Sequence, residues 1–236
     1  MIKYKCKYCK KIFENYPSRK SIYCSLDCSI LSNTRLPNNL FDIESYDACY
    51  WLGFLFGDGC VDTKGKLQIC LSIKDIDHLY KFNNFIFSRN INAVNKYKDR
   101  CIIQVNSKNL CKNLEKYNII PNKTKTSLIV LPQSKYINHF IRGLFDADGW
   151  VFKKEYKNNK GYKYYKYCCG ICSYLKENLE IINNQLPIHG IISRKKTQEL
   201  YELRFQSKQD IRKIKTFLYQ DSLTSLHRKR ILMCSI

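Results

Sequence analysis

The sequence predicts an α+β protein made of two copies of one unit, preceded by a small cysteine-paired module. Three observations carry that expectation. Residues 51–59 (WLGFLFGDG) and 141–149 (IRGLFDADG) share one shape: an apolar run with glycine third, aspartate eighth and glycine ninth. The landmarks after each stretch recur in the same order, Asp58 with Asp148, Ser72 with Ser173, and Ser107-Lys108 with Ser207-Lys208, which marks a duplicated unit of about 95 residues. Two close cysteine pairs, Cys6/Cys9 and Cys24/Cys28, lie ahead of both copies.

The spacing divides the chain into residues 1–36, 37–131 and 132–236. In the first segment, four thiols in two short-spaced pairs suit one closed tetrahedral zinc site. A segment that small builds no core, so bound metal would supply much of its folding energy. Its basic face combines Lys3, Lys5, Lys7, Lys10, Lys11, Arg19 and Lys20 with Tyr4, Tyr8 and Tyr16. Residues 34–42, with Pro37, Asn38 and Asn39, read as a linker.

Each repeat reads α-β-β-α-β-β-α. The first helix spans 45–58 with Ser45 as N-cap, and its match begins near the candidate cap Ser134. Gly59 and Gly149 are expected to end these helices in left-handed conformation. A short hairpin follows in repeat one (60–62, turn at 63–65, 67–72), and a longer one in repeat two (151–173, turn at 158–161). Helical spacing of Ile76, Leu79, Tyr80, Phe82 and Phe85 predicts a helix over 75–89, matched by 175–186. Strands are expected at 92–97 and 101–105, and at 190–195 and 199–205. Ser107 and Ser207 cap the closing helices. Each sheet would bury one face under helices and leave the other polar, so two joined sheets form a saddle.

The motif helices are apolar almost all round, as buried helices are. Gly53, Gly57, Gly143 and Ala147 are small enough for two backbones to approach closely. The aspartates are the anomaly. A carboxylate in the last turn faces the negative end of the helix dipole, and side-by-side packing brings two of them together. Something cationic belongs there, and a divalent ion with oxygen ligands is the natural candidate.

The paired stretches resemble the motifs of LAGLIDADG homing endonucleases in their two-repeat, single-chain form, over the chain from about Phe41 onward. The N-terminal segment looks like the small zinc modules attached to many phage-type members. The resemblance implies a site-specific double-strand DNA endonuclease, active as a monomer, with magnesium held by Asp58 and Asp148. Backbone carbonyls of Gly57 and Ala147 are candidate further ligands. Position six is Phe56 in one repeat and Asp146 in the other, so Asp146 is at most accessory. The family's basic residue near each active site matches Lys123 and Lys229, with Lys125 a competing choice.

The charge balance agrees with a nucleic-acid partner: 41 Lys and Arg against 20 Asp and Glu give +21. Lys153, Lys154, Lys157, Lys160, Lys163 and Lys166 alternate with tyrosines including Tyr164 in the long hairpin, a ribbon of the kind that fits a major groove. The alternatives are an RNA maturase bound to its host intron RNA, a DNA-binding regulator on the same scaffold, or a structural nucleic-acid binder led by the zinc module. No apolar run reaches the ~20 residues that span a membrane, and the N-terminus has no secretory h-region. The expected setting is intracellular, in a DNA-containing compartment with reduced thiols. Intein-type splice flanks are absent, and the Lys/Asn/Ile/Tyr bias suggests an AT-rich genome. Cys169 and Cys172 share a strand at opposite faces and read as core rather than metal ligands. The four histidines show no ligand spacing, and no Walker-type loop or Gly-x-Ser-x-Gly elbow occurs.

Overall fold

The architecture follows chain order. The computed structural model describes every residue except 17–20, 34–39, 42–44, 88–91 and 196–198. Strands β1 (Ile2–Lys5) and β2 (Ile12–Asn15) pair antiparallel and helix α1 (Leu26–Asn33) follows. Arg19 and Lys20 of the module's basic face, and most of the 34–42 linker, lie outside the described residues. So do the last residues expected of the 75–89 helix.

Repeat one runs α2 (Tyr46–Asp58), β3 (Gly59–Val61), β4 (Lys66–Ser72), α3 (Ile76–Phe87), β5 (Val94–Lys96), β6 (Arg100–Asn106) and α4 (Lys108–Glu115). Repeat two runs α5 (Ile137–Asp148), β7 (Gly149–Lys157), β8 (Lys163–Ser173), α6 (Lys176–Asn183), β9 (Ile191–Arg194), β10 (Tyr201–Phe205) and α7 (Lys208–Tyr219). The expected αββαββα order is present twice. Helix α8 (His227–Cys234) lies beyond the pattern. Its sequence HRKRILMC carries no apolar stripe that would announce a helix.

The two sheets have the same strand order, β3-β4-β6-β5 and β7-β8-β10-β9, and every pairing is antiparallel. Strand alternation divides their faces. In β6, Cys101, Ile103 and Val105 are buried, while Ile102, Gln104 and Asn106 face outward. Cys169 is buried in β8, as expected of a core cysteine.

Helices α2 and α5 join the repeats. Residues Ala48 to Leu55 of α2 are all buried. A Cβ placed on Gly53 would lie 1.9 Å from the Phe140 carbonyl oxygen, and one on Gly143 would lie 1.9 Å from that of Tyr50. The two backbones therefore touch where the glycines allow it.

The structure corrects two local expectations. Gly59 (φ −76°) and Gly149 (φ −83°) are extended, not left-handed, and each starts a strand at once. Glycine is needed there for space: a Cβ would sit 2.6 Å and 2.4 Å from the Leu55 and Phe145 carbonyls. The cap position of α5 falls two residues after Ser134. A 3-10 turn (Ser134–Tyr136) comes first, and the cap position is Tyr136, with no side-chain cap bond. The other caps hold: Ser45, Ser107 and Ser207 accept from the amides of Ala48, Leu110 and Asp210 at 3.2, 3.2 and 3.4 Å.

The N-terminal module rests on the open side of the first sheet. The Tyr8 hydroxyl donates to the Gln104 carbonyl (3.2 Å), Asn106 Nδ2 donates to the Tyr8 carbonyl (3.3 Å), and Lys11 Nζ donates to Asn95 Oδ1 (3.2 Å).

Candidate active site and nucleic-acid interface

Because α2 and α5 run side by side, they end side by side. Asp58 and Asp148 are their last residues, and both are exposed. The Asp148 carboxylate reaches over the foot of α2. A Cβ on Gly57 would come within 2.9 Å of its Oδ2, so the bare glycine makes room for it. Desolvation at the helix feet, then the charge of Asp58, push the Asp148 carboxyl up to about 6. Desolvation also raises Asp58, against the pull of Lys229, Lys123 and Arg228.

Both expected lysines arrive at the same place, by different routes. Lys123 opens a 3-10 turn (Lys123–Lys125) that follows left-handed Asn122 (φ 61°). Its buried ammonium donates to the carbonyls of Gly57 (3.2 Å) and Gly59 (2.6 Å). Lys229 sits in the first turn of α8, and its ammonium donates to the carbonyls of Phe145 (2.9 Å), Asp146 (2.7 Å) and Ala147 (3.0 Å). Two ammonium groups thus occupy the negative ends of two helices, where cations are favoured. They meet part of the demand that the aspartates create. Burial lowers Lys229 to about 8, with Asp146, Asp58 and Asp148 opposing. Burial lowers Lys123 as well, opposed first by Asp148. Of the two foot aspartates, Asp148 acts more on Lys123 and Asp58 more on Lys229. Each lysine ties down its own repeat's helix and faces the other repeat's aspartate. Lys125 is elsewhere, exposed, with Glu199 at 3.9 Å.

The carbonyls of Gly57 and Ala147 already accept from these ammonium groups, leaving each one further lone pair. Asp146 is not at the surface. It is buried and accepts from the Tyr50 hydroxyl (2.8 Å), the Tyr219 hydroxyl (3.2 Å) and the Leu226 amide (2.7 Å).

The six hairpin lysines divide between two faces. Val151 and Cys169 point toward the helices, and alternation puts Lys153, Lys157 and Lys163 on that same side. Lys153 donates to the Ser235 carbonyl (3.2 Å), and Lys163 pairs with Glu155 (2.9 Å). Lys154 and Lys166 are on the open side with Tyr156 and Tyr164, whose rings stack at 5.8 Å. Lys160 stands in the turn. Residue types alone could not reveal this division, since it depends on which parity faces the helices. The same alternation adds residues that the lysine pattern passes over. Arg204 and Glu202 (3.6 Å apart) lie on the open face of β10, and Gln68 and Gln104 bond at 2.6 Å across β4 and β6.

The four module cysteines come together, with sulfurs all within 4.8 Å of one another. Cys9 and Cys24 are 3.4 Å apart, Cys24 and Cys28 3.5 Å. A tetrahedron with Zn–S bonds of about 2.3 Å has edges of about 3.8 Å, so the set fits zinc. Burial opposes a thiolate at Cys6, but the amides of Cys24, Cys9 and Tyr8 outweigh it and lower the thiol to about 6.

Two glycine-joined helices with acidic feet, each leading into a four-stranded sheet, define the two-motif, single-chain LAGLIDADG fold. Residues 135–218 match the family described as LAGLIDADG-like domain. Solved structures share the whole arrangement at low identity. The meganuclease I-AabMI bound to uncleaved DNA has a TM-score of 0.58 and 15% identity, covering 79% of this chain and 88% of that one. I-SmaMI, bound to an uncleaved DNA target with calcium ions, has a TM-score of 0.60 and 13% identity, covering 82% and 90%. I-GzeII, in complex with its DNA target, has a TM-score of 0.56 and 14% identity, covering 77% and 86%. Half of the chain is also 30% identical, over 126 residues, to a probable translation initiation factor IF-2 of Methanocaldococcus jannaschii, but spans only 10% of that protein. No helix among the described residues is long and apolar enough to cross a membrane.

Proposed function

We propose that this protein is a site-specific double-strand DNA endonuclease of the homing type. The observation that carries the reading is the foot of the helix pair. Two exposed carboxylates converge there beside two buried lysines, between two sheets with polar open faces. The donor set suits a hard divalent cation: oxygen atoms only, with two carboxylates crowded together at the helix feet. Magnesium is the ion proposed, and Asp58 and Asp148 are the residues that would hold it. When bound, such an ion neutralises the phosphate and activates the attacking water.

The chain's own residues do the remainder. Lys123 and Lys229 supply positive charge fixed before substrate arrives, which is how a site stabilises charge that develops in the transition state. Their carbonyl bonds hold each ammonium in place, and the loss of freedom has been met in folding. Lys154, Lys166, Lys160 and Tyr164 would contact the backbone of the duplex, and the open-face amides with Arg204 would meet base edges. Lys153, Lys157 and Lys163 belong to the scaffold side. The zinc module adds its basic face beside the first sheet. One chain carries both half-sites, so a monomer suffices.

The test is a cleavage selection on a large duplex library with magnesium, run beside Asp58→Asn and Asp148→Asn. The proposal expects one target class, with each variant nicking or inactive. Specific duplex binding without metal-dependent cutting would move the protein to the regulators. Preference for intron RNA would move it to the maturases.

A further inference from the structure

Helix α8 presents Lys229, and few apolar residues anchor it: Leu226, Met233 and Ile236 are buried, while Ile231 and Leu232 are exposed. Polar ties add to these anchors at the start of the helix. The Leu226 amide, at the N-cap of α8, donates to Asp146 Oδ2 at 2.7 Å. The same carboxylate accepts from Tyr50 of α2 and Tyr219 of α7. Tyr50 also bonds the Nε2 of His78 on α3, at 3.0 Å. The phenol gives its single proton to Asp146, so His78 Nε2 is the donor in that second bond. Arg142 of α5 donates to the carbonyls of Leu218 and Thr224. Asp146 is therefore the junction at which α2, α5, α7 and the start of α8 are tied together, 1% exposed and beyond reach of substrate.

The matched position in repeat one is Phe56. The lysine turn of that repeat is held differently, by Asn178 of α6, which bonds the Ile129 amide (2.8 Å) and the Ser127 carbonyl (3.0 Å). The carboxylate therefore serves one lysine and not the other.

We propose that Asp146 is a positioning residue: it fixes the start of α8 and so sets Lys229 at the foot of α5. This rests on the nuclease reading for its consequence in cutting, but not for its structural content. Two measurements separate the two. The first is hydrogen exchange on the full chain. Asp146→Asn, which keeps shape and one acceptor, should speed exchange modestly, and Asp146→Ala strongly, within residues 221–234 and not in the sheets. Unchanged exchange there overturns the proposal whether or not the protein cuts DNA.

The second is a mutant cycle on cleavage of each strand of the target. Asp146→Ala should slow one strand about 10-fold or more, the range for a residue that orients an active-site group, and leave nicked product. Lys229→Ala should slow that same strand. The double variant should be no slower than Lys229→Ala alone, because both changes remove one contribution. Equal slowing of both strands, or losses that multiply, would overturn the proposal. Failure of the parent to cut any duplex removes the nuclease reading and leaves the exchange result to decide this one.

Discussion

Gly143→Ala should loosen the joint between the repeats. The added carbon would lie 1.9 Å from the Tyr50 carbonyl oxygen, 2.8 Å from the Phe54 nitrogen and 2.9 Å from the Tyr50 carbonyl carbon. These are backbone atoms inside a helix, so no rotamer change relieves the clash. Unstrained packing needs about 3.5 Å between such atoms, so the helices must part by more than 1 Å. A gap of only about 0.5–1 Å already forfeits a quarter to a half of the dispersion attraction between each facing pair of atoms, and this one is larger. Overpacking of this kind costs about 1–3 kcal/mol or more, while alanine returns roughly 1 kcal/mol of helix propensity. With the weakened dispersion included, we expect a net cost of about 3 kcal/mol. At ~2–4 °C per kcal/mol for a chain of this size, the melting temperature should fall by about 6–12 °C. The control is Gly161→Ala, where no atom lies within 4 Å but φ is +82°; its cost should be the left-handed penalty of about 1–2 kcal/mol. Calorimetry on both variants reads the difference. A Gly143→Ala protein that melts with or above the Gly161→Ala control would refute the close-approach argument.

Other outcomes follow from the same geometry. Lys154→Ala with Lys166→Ala should flatten the salt dependence of duplex binding by nearly one unit of slope for each phosphate no longer neutralised. Lys153→Ala with Lys163→Ala should leave that slope near the parent's, as titrations from 50 to 200 mM salt would register. A stable chelator, or Cys24→Ser, should release about one zinc per chain and unfold residues 1–33 while the main melting transition persists, followed by a colorimetric zinc assay and calorimetry. Burial pushes His78 down to about 3, with Lys81, Lys229 and Arg228 adding to the effect, whereas the unfolded chain binds that proton near pH 6.5. Its contribution to stability is thus whole above about pH 6.5 and shrinks as pH falls toward 3. Asp146 and Asp148, raised to about 6 by burial, work in the opposite direction, so the readout is a difference. The urea midpoint of His78→Phe should gain on that of the parent between pH 7 and 4.5.

How much of this is legible in the sequence depends on what kind of signal each feature leaves. The helix pair is legible because backbone-to-backbone packing demands glycine at fixed positions, and Gly53 and Gly143 are chemically irreplaceable. The cysteine site is legible because its ligands are near neighbours in the chain. Lys123 and Lys229 are reached only through the family resemblance, since lysine is abundant here and nothing local distinguishes Lys123 from Lys125. Burial makes that distinction, and burial is set by packing between distant segments. Helix α8 is hidden for a related reason: its buried apolar residues, Leu226, Met233 and Ile236, are sparse, and polar ties to Asp146, Asp75 and Lys81 help hold it. The hairpin faces are hidden because lysine and tyrosine dominate both sides, so only Val151 and Cys169 at the base fix the parity.

Each lysine turn is also gripped by the opposite half of the chain. Asp75 and Lys81 of the first repeat hold Arg228 (3.0 Å) and the Ser225 carbonyl (3.2 Å), and Asp47 accepts from Thr224 (2.8 Å). Asn178 of the second repeat holds the turn after Lys123. Neither half therefore supplies every tie that sets its own lysine. Recombining one half with that of a relative to obtain a new target would join compatible helices and still strip each lysine turn of its ties to the other half, leaving it held by its own repeat alone, unless α3 and α6 travelled with the turns they clasp. The unit of exchange in retargeting this protein is the crossed pair, not the repeat.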